Sequence, residues 1–209
     1  ETNLWKKPYN VQIHGYVTYE KCRKGKGGGV SLSVLNTIYS EQIIIRKSMY
    51  YEMVGVKIKS NKMRRHHYIF SVYITHLSNR YPDKHLTYDI QAFFNDITPI
   101  IKKYDRDNIT FIGDFNADLT RSTPCQRKTL FSRLLKNNQL IPCLPLTQTR
   151  FAVRKSDINN SIIDFVINND DHIDISIYSV NDTSDVKFKT CLLYTSPSPR
   201  DQRGSGLGA

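Results

Sequence analysis

Two spacings of apolar residues run through this chain, and they divide it into short strands and two helices. Gly29 to Leu35 alternates small and apolar residues, and Gln42 to Ile45 is β-branched. Glu52 to Lys59 sets Met53, Gly55 and Lys57 against Val54, Val56 and Ile58. Tyr68 to Ile74, Ile109 to Ile112, Ile162 to Ile167 and Ile173 to Tyr178 complete the predicted strands. From about Lys84 to Lys103 the spacing changes, with Leu86, Ile90, Phe93, Phe94, Ile97, Ile100 and Ile101 three or four residues apart. Pro82 and Asp83 are its start signals, and Pro99 is expected to kink or split it. A second helix is predicted over Gln126 to Asn137, with Leu130, Phe131, Leu134 and Leu135 on one face. Many strands with two helices that each return to the sheet imply a layered α/β or α+β sandwich.

One strand ends in chemistry. Asn108-Ile109-Thr110-Phe111-Ile112 reads as a short buried strand, and Gly113-Asp114-Phe115-Asn116-Ala117-Asp118 follows it. In extended backbone Asp114 and Asn116 project to one side while the Phe115 ring enters the core. A carboxylate and a carboxamide so placed can orient a water and hold a phosphate oxygen. The competing reading is a simple turn, because Gly, Asp and Asn are common turn residues.

The 209 residues suit one domain. No stretch approaches the roughly 20 apolar residues of a membrane span, and no signal peptide opens the chain. The four cysteines, Cys22, Cys125, Cys143 and Cys191, are scattered without a Cys-x-x-Cys pair. That spacing argues against a zinc site, gives no disulfide framework and makes a reducing, intracellular compartment the default. The net charge of +11 comes from 30 basic against 19 acidic residues. It clusters at Lys6-Lys7, Lys21 to Lys26, Lys62 to Arg65 with His66-His67, and Arg121 to Arg133. Solvated basic loops would suffice to explain it, but basic loops between strands suit a polyanion, nucleic acid before anionic lipid.

Both ends differ from a complete domain. Glu1 starts inside what reads as a motif, with no strand before it. From Cys191 to Ala209 the composition shifts to Thr-Ser-Pro-Ser-Pro-Arg and Gly-Ser-Gly-Leu-Gly-Ala, without periodicity. The expected organisation is therefore one N-terminally truncated domain over residues 1–190 and a disordered tail over 191–209, which resembles adapter- or vector-derived sequence.

Taken singly, an Asp or Glu is an ordinary surface or capping residue. Here Glu1-Thr2-Asn3-Leu4, Gly113-Asp114-Phe115-Asn116, Ser161-Ile162-Ile163-Asp164-Phe165 and Thr183-Ser184-Asp185-Val186 occur in one order. That order resembles the endonuclease/exonuclease/phosphatase superfamily, the magnesium-dependent phosphodiesterases related to DNase I and the AP endonucleases, from Glu1 to about Lys189. Within the superfamily, Lys26-Gly27-Gly28-Gly29-Val30-Ser31-Leu32 ahead of Glu52-Met53-Val54-Gly55-Val56 looks like the endonuclease domains of LINE-type (non-LTR) retrotransposons. The alternative for the glycine run is a flexible turn. The resemblance implies an α+β fold, the DNase I-like four-layer α/β/β/α sandwich, here lacking its first strand and with it the family's early asparagine.

The resemblance also implies roles. Glu1 and Asp185 match metal-site carboxylates for Mg2+ (or Mn2+ in its place), a hard cation that prefers oxygen ligands. Tyr73 matches the tyrosine at a strand end that contacts the scissile phosphate, and His76 in Thr75-His76-Leu77 the phosphate-contacting histidine of some branches. Asp114 matches the residue that orients or deprotonates the attacking water, Asn116 the amide on the phosphate, and Asp164 the carboxylate that holds a catalytic histidine. The closing motif departs from Ser-Asp-His, because Val186 stands where that histidine belongs. An intact relative would hydrolyse the phosphodiester directly, leaving a 3′ hydroxyl and a 5′ phosphate.

The implied function is a DNA-nicking endonuclease serving target-primed reverse transcription, with DNA and a reverse transcriptase domain of the same polyprotein as partners, no membrane, and the nucleus as location. The alternatives are a catalytically impaired nucleic-acid-binding remnant, another superfamily nuclease, or a phosphatase of inositol phosphates or lipid headgroups. A phosphatase would need an anion pocket and a lipid-facing loop, and neither is recognisable. Target preference would lie in the loops Asn79 to Lys84 and Thr120 to Lys128, whose Arg80, Tyr81, Arg121 and Arg127 are candidate phosphate or base contacts.

Overall fold

The computed structural model describes residues 13–21, 29–59, 65–75, 87–123, 125–145, 150–154, 157–170, 176–179 and 191–194. Its centre is a six-stranded sheet. In chain order its strands are β3 (Tyr39–Lys47), β4 (Tyr51–Lys59), β5 (His67–Ile74), β6 (Asn108–Asp114), β7 (Ile141–Cys143) and β10 (Asp164–Asn168). Their order across the sheet is β3-β4-β5-β6-β10-β7. Only β5 and β6 pair in parallel, and the helix α1 (Tyr88–Lys103) connects them, as a parallel crossover requires. Three two-stranded pairs complete the strands: β1 (Tyr16–Lys21) with β2 (Val30–Leu35), β8 (Arg150–Arg154) with β9 (Asp157–Ser161), and β11 (Ser176–Ser179) with β12 (Cys191–Tyr194).

Strand alternation assigns each side of the sheet a different task. Tyr51 and Met53 of β4, Phe70, Val72 and Ile74 of β5, Ile109 and Phe111 of β6, and Phe165 and Ile167 of β10 join one buried cluster. Ile90, Phe93, Phe94 and Ile97 of α1 close it, with Phe131 and Leu135 of α2 (Gln126–Asn137). Both helices thus cover one face, and β1–β2 packs over β4 and β5. Helix layer, central sheet and second sheet make the α+β sandwich that the pattern predicts. No helix among the described residues is long and apolar enough to cross a membrane.

Several sequence expectations need correction. Pro99 does not split α1, which runs on to Lys103. The one hydrogen bond its missing N–H deletes belongs to the Asn95 carbonyl, and both residues lie on the solvent side, where water can serve. The predicted start of that helix, Lys84 with Pro82 and Asp83, lies outside the described residues. Ile162 and Ile163 are buried but precede β10 rather than belonging to it. Cys191–Tyr194, expected to be disordered, is a strand paired with β11, while 195–209 falls outside the described residues.

The sheet face turned away from the helices carries a buried histidine. His67 is 5% exposed, and its Nε2 pairs with Thr110 Oγ1 at 2.8 Å. Burial lowers its pKa to about 4, against a smaller opposing pull from the Asp170 carboxylate. The folded state therefore binds fewer protons than the unfolded chain between about pH 4 and 6.5, so this stability is complete above pH 6.5 and lost as the pH falls towards 4. Denaturant unfolding should show a loss of roughly 2 kcal/mol between pH 7 and pH 5 that His67→Gln abolishes. An equal pH slope in His67→Gln would assign the acid sensitivity elsewhere.

Candidate active site

The parallel pair β5–β6 ends where the polar residues collect. Tyr73 is the register partner of Asp114, and Asp114 is in turn the partner of Asp164 on β10. Cross-strand partners share a face, so three strands present a phenol and two carboxylates in one row. Their neighbours Val72, Ile74 and Phe165 point into the helix-side core, so the row faces the other way. Asp114 is 8% exposed, and Tyr73 and Asp164 are half-buried.

Gly113 sets how closely the row is drawn together. Its φ is +148°, and a Cβ there would stand 1.8 Å from the carbonyl oxygen of Val72, its partner on β5. The glycine is thus a strand residue against which a neighbouring backbone packs, which displaces the simple-turn reading. After Asp114 the chain does turn. Phe115 N–H donates to the Ile163 carbonyl at 2.9 Å, and the Phe115 ring is fully buried. Asn116 is not extended, as the alternation predicts, but left-handed at φ +48°. That conformation is one asparagine tolerates, and Asn116 N–H closes an Asx-type turn on Asp114 Oδ1 at 2.9 Å.

Asn116 therefore reaches the row by a different route. Its side-chain Nδ2 donates to the carbonyl of Ile74, the last residue of Tyr73's strand, at 2.6 Å. Only the NH2 end of an amide can serve a carbonyl, so this contact fixes which way the amide points and leaves Nδ2 a second N–H. Tyr73, Asp114, Asn116 and Asp164 are brought together. Glu1, His76, Asp185 and Val186 lie outside the described residues. Among the described residues no group of three or more His, Cys, Asp or Glu side chains could hold a metal ion.

Two features escaped the sequence reading. Glu52 is 1% exposed, is the register partner of Tyr73, and accepts the Gly29 N–H at 2.6 Å, so the row extends to a fourth strand and meets the glycine run there. Its signal was available, because Glu52 falls in phase with Val54, Val56 and Ile58, a charge in an apolar register. The second feature is Arg127, expected to be a nucleic-acid contact. Instead its Nη1 binds both oxygens of the buried Asp89 carboxylate at 2.9 and 2.8 Å, and its Nε donates to the Asn116 carbonyl at 3.1 Å. Arg121 remains exposed, with its Nε on Thr123 Oγ1 at 2.8 Å, while Arg80 and Tyr81 lie outside the described residues.

Comparison with known proteins places the chain in a family and a fold. The family model described as endonuclease-reverse transcriptase matches residues 67–187, more than half of the chain. Among solved structures, the endonuclease domain of TRAS1, a telomere-specific non-LTR retrotransposon, superposes with a TM-score of 0.59 at 17% identity, covering 79% of this chain and 74% of that one. An endonuclease/exonuclease/phosphatase family protein from Bacteroides thetaiotaomicron gives 0.53 at 15% identity, over 87% and 71% of the two chains. The mannosyl-6-phosphatase Bt3783 of the same organism gives 0.52 at 13% identity, over 80% and 70%. Likenesses at such identities establish the shared DNase I-like fold. No match is found among curated proteins.

Proposed function

Because the chain belongs to the endonuclease–reverse transcriptase family, we propose that the row of Tyr73, Asp114 and Asp164, with Asn116 at its end, is the phosphodiester-hydrolysing site of a DNA-nicking endonuclease. The observation that carries this reading is the register of three adjacent strands, which aligns residues 91 positions apart in sequence, Tyr73 and Asp164, through Asp114. In the proposed reaction Asp114 orients a water and accepts its proton. The second Nδ2 hydrogen of Asn116 and the Tyr73 hydroxyl donate to non-bridging phosphate oxygens, where charge grows in the transition state. The water attacks phosphorus in line with the departing 3′ oxygen, and the nicked strand keeps a 5′ phosphate.

Mg2+ would be held by Glu1 and Asp185, the carboxylates that the superfamily resemblance assigns to it, since a hard cation prefers oxygen ligands. When bound, it would screen the phosphate charge against the incoming water. His76 would add a phosphate contact, and Asp164 would line the row beside Asp114. The basic charge of +11 suits DNA, and a reverse transcriptase acting on the free 3′ hydroxyl, in the nucleus, would be the partner.

Val186 favours a second reading, an impaired domain that binds nucleic acid. Valine has no donor, and a missing phosphate donor costs about 10²–10³ in rate. End analysis of DNA treated with the chain separates the two. Cleavage predicts nicks that carry a 5′ phosphate and a 3′ hydroxyl extendable by a polymerase, faster by about 10²-fold in Val186→His. Salt-sensitive binding with no new ends in either protein would favour the remnant and sink the nuclease reading.

A further inference from the structure

Asn116 sits in a left-handed turn, at φ +48°, that its own backbone does not favour. Three hydrogen bonds hold it there. One comes from the row, through Asp114 Oδ1, and one from the end of β5, through the Ile74 carbonyl. The third comes from α2, whose Arg127 Nε grips the Asn116 carbonyl at 3.1 Å. Arg127 is not free to swing away, because Asp89 in the first turn of α1 holds its Nη1 with both carboxylate oxygens, and Asp89 is 1% exposed. A planar guanidinium can serve both partners at once from different nitrogens, whereas an ammonium cannot span them in the same geometry.

From this chain of contacts we infer that Asp89 and Arg127 are positioning residues for Asn116, a part-buried ion pair that uses the two helices to fix the turn carrying the phosphate-binding amide. The inference rests on the proposed role of Asn116, but its physical core is independent of activity. The ion pair joins α1, which begins after β5, to α2, which follows the turn, and it closes on the peptide immediately after Asn116's amide-bearing carbon. Asp89 and Arg127 touch no reacting atom. Their effect is expected on the placement of one side chain, and a displacement of about 1 Å at such a group is worth about 10²-fold in rate.

The test follows the Asn116 side-chain NH2 pair in 1H–15N spectra of the full chain, with plasmid nicking measured on the same samples. Arg127→Met alone strands the Asp89 carboxylate in the core and endangers the fold. The double variant Arg127→Met/Asp89→Leu removes both charges and keeps the space filled. Arg127→Lys keeps the pairing with Asp89 but not the second branch to Asn116. In the double variant and in Arg127→Lys the Asn116 NH2 resonances should move to positions and exchange rates typical of free amides. In both, kcat for nicking should fall about 10²-fold with KM little changed. Thermal stability of the double variant should recover from that of Arg127→Met, while Asn116 does not. An Asn116 pair that stays put in both variants overturns the inference, whether or not any sample nicks DNA. A displaced pair with unchanged kcat overturns it as well. A displaced pair in a protein whose wild type never nicks leaves the link standing and counts against the phosphodiesterase reading.

Discussion

Gly113→Ala should cost about 3 kcal/mol or more in denaturant unfolding, a large effect for the addition of one methyl group. The added Cβ would stand 1.8 Å from the Val72 oxygen and 2.8 Å from the Val72 carbonyl carbon. Both are backbone atoms of β5, so no rotamer change relieves the overlap. The φ of +148° adds conformational strain that an L side chain does not tolerate. The remaining response is to separate β5 from β6 at Val72↔Gly113, one step from Tyr73↔Asp114. Any folded fraction should therefore have lost most of its nicking as well. A variant within 1 kcal/mol of wild type with normal activity would mean that β5 and β6 do not approach as described.

Phe115→Ala should cost about 3–5 kcal/mol. The ring is fully buried, stacks on Phe165 at 4.5 Å between centroids, and meets Phe93 and Phe131 edge-on at 6.1 and 5.7 Å. One side chain of the motif therefore ties the sheet to both helices. Removal leaves a cavity among large aromatic groups that cannot collapse without shifting α1 or α2. Because Asp114 and Asn116 flank it, activity should fall faster than stability, and Phe115→Leu should lose less of both. A cost below 1 kcal/mol would contradict the placement of this ring.

The sequence reading and the structure agree where periodicity is strong. The second helix is predicted over Gln126 to Asn137 and is found there, because its apolar face repeats cleanly and its polar face is uninterrupted. Strands rich in Val, Ile and Phe are located within a few residues. The polar strand Asp157–Ser161 is not, since its hydrogen-bond partner β8 makes it a strand and its composition does not; Tyr16–Lys21 is missed although Tyr16, Val17, Thr18 and Tyr19 favour strands. The same division holds at the site. Asp114 could be named from the end of its strand, and Tyr73 and Asp164 from the superfamily that the motif order resembles, yet their shared register required the sheet. Asn116 was named with the wrong backbone, because alternation cannot anticipate a left-handed turn closed by a side chain. The role of Arg127 could not be read at all, since Asp89 is 38 residues away and Asn116 is 11. A basic residue near a site looks like a phosphate contact until a buried carboxylate is found holding it.

The central claim is that Asp114 belongs to a working phosphodiesterase row. Nicking of supercoiled plasmid in Mg2+ should be measured for the chain and for Val186→His, each with and without Asp114→Asn. The account predicts nicking that is strongest in Val186→His and falls by about 10²-fold or more when Asp114 becomes Asn, a substitution that keeps the shape and the Oδ1 acceptor for Asn116 but removes the charge. Nicking that survives Asp114→Asn at an undiminished rate, or no nicking in either Asp114 protein, would contradict it.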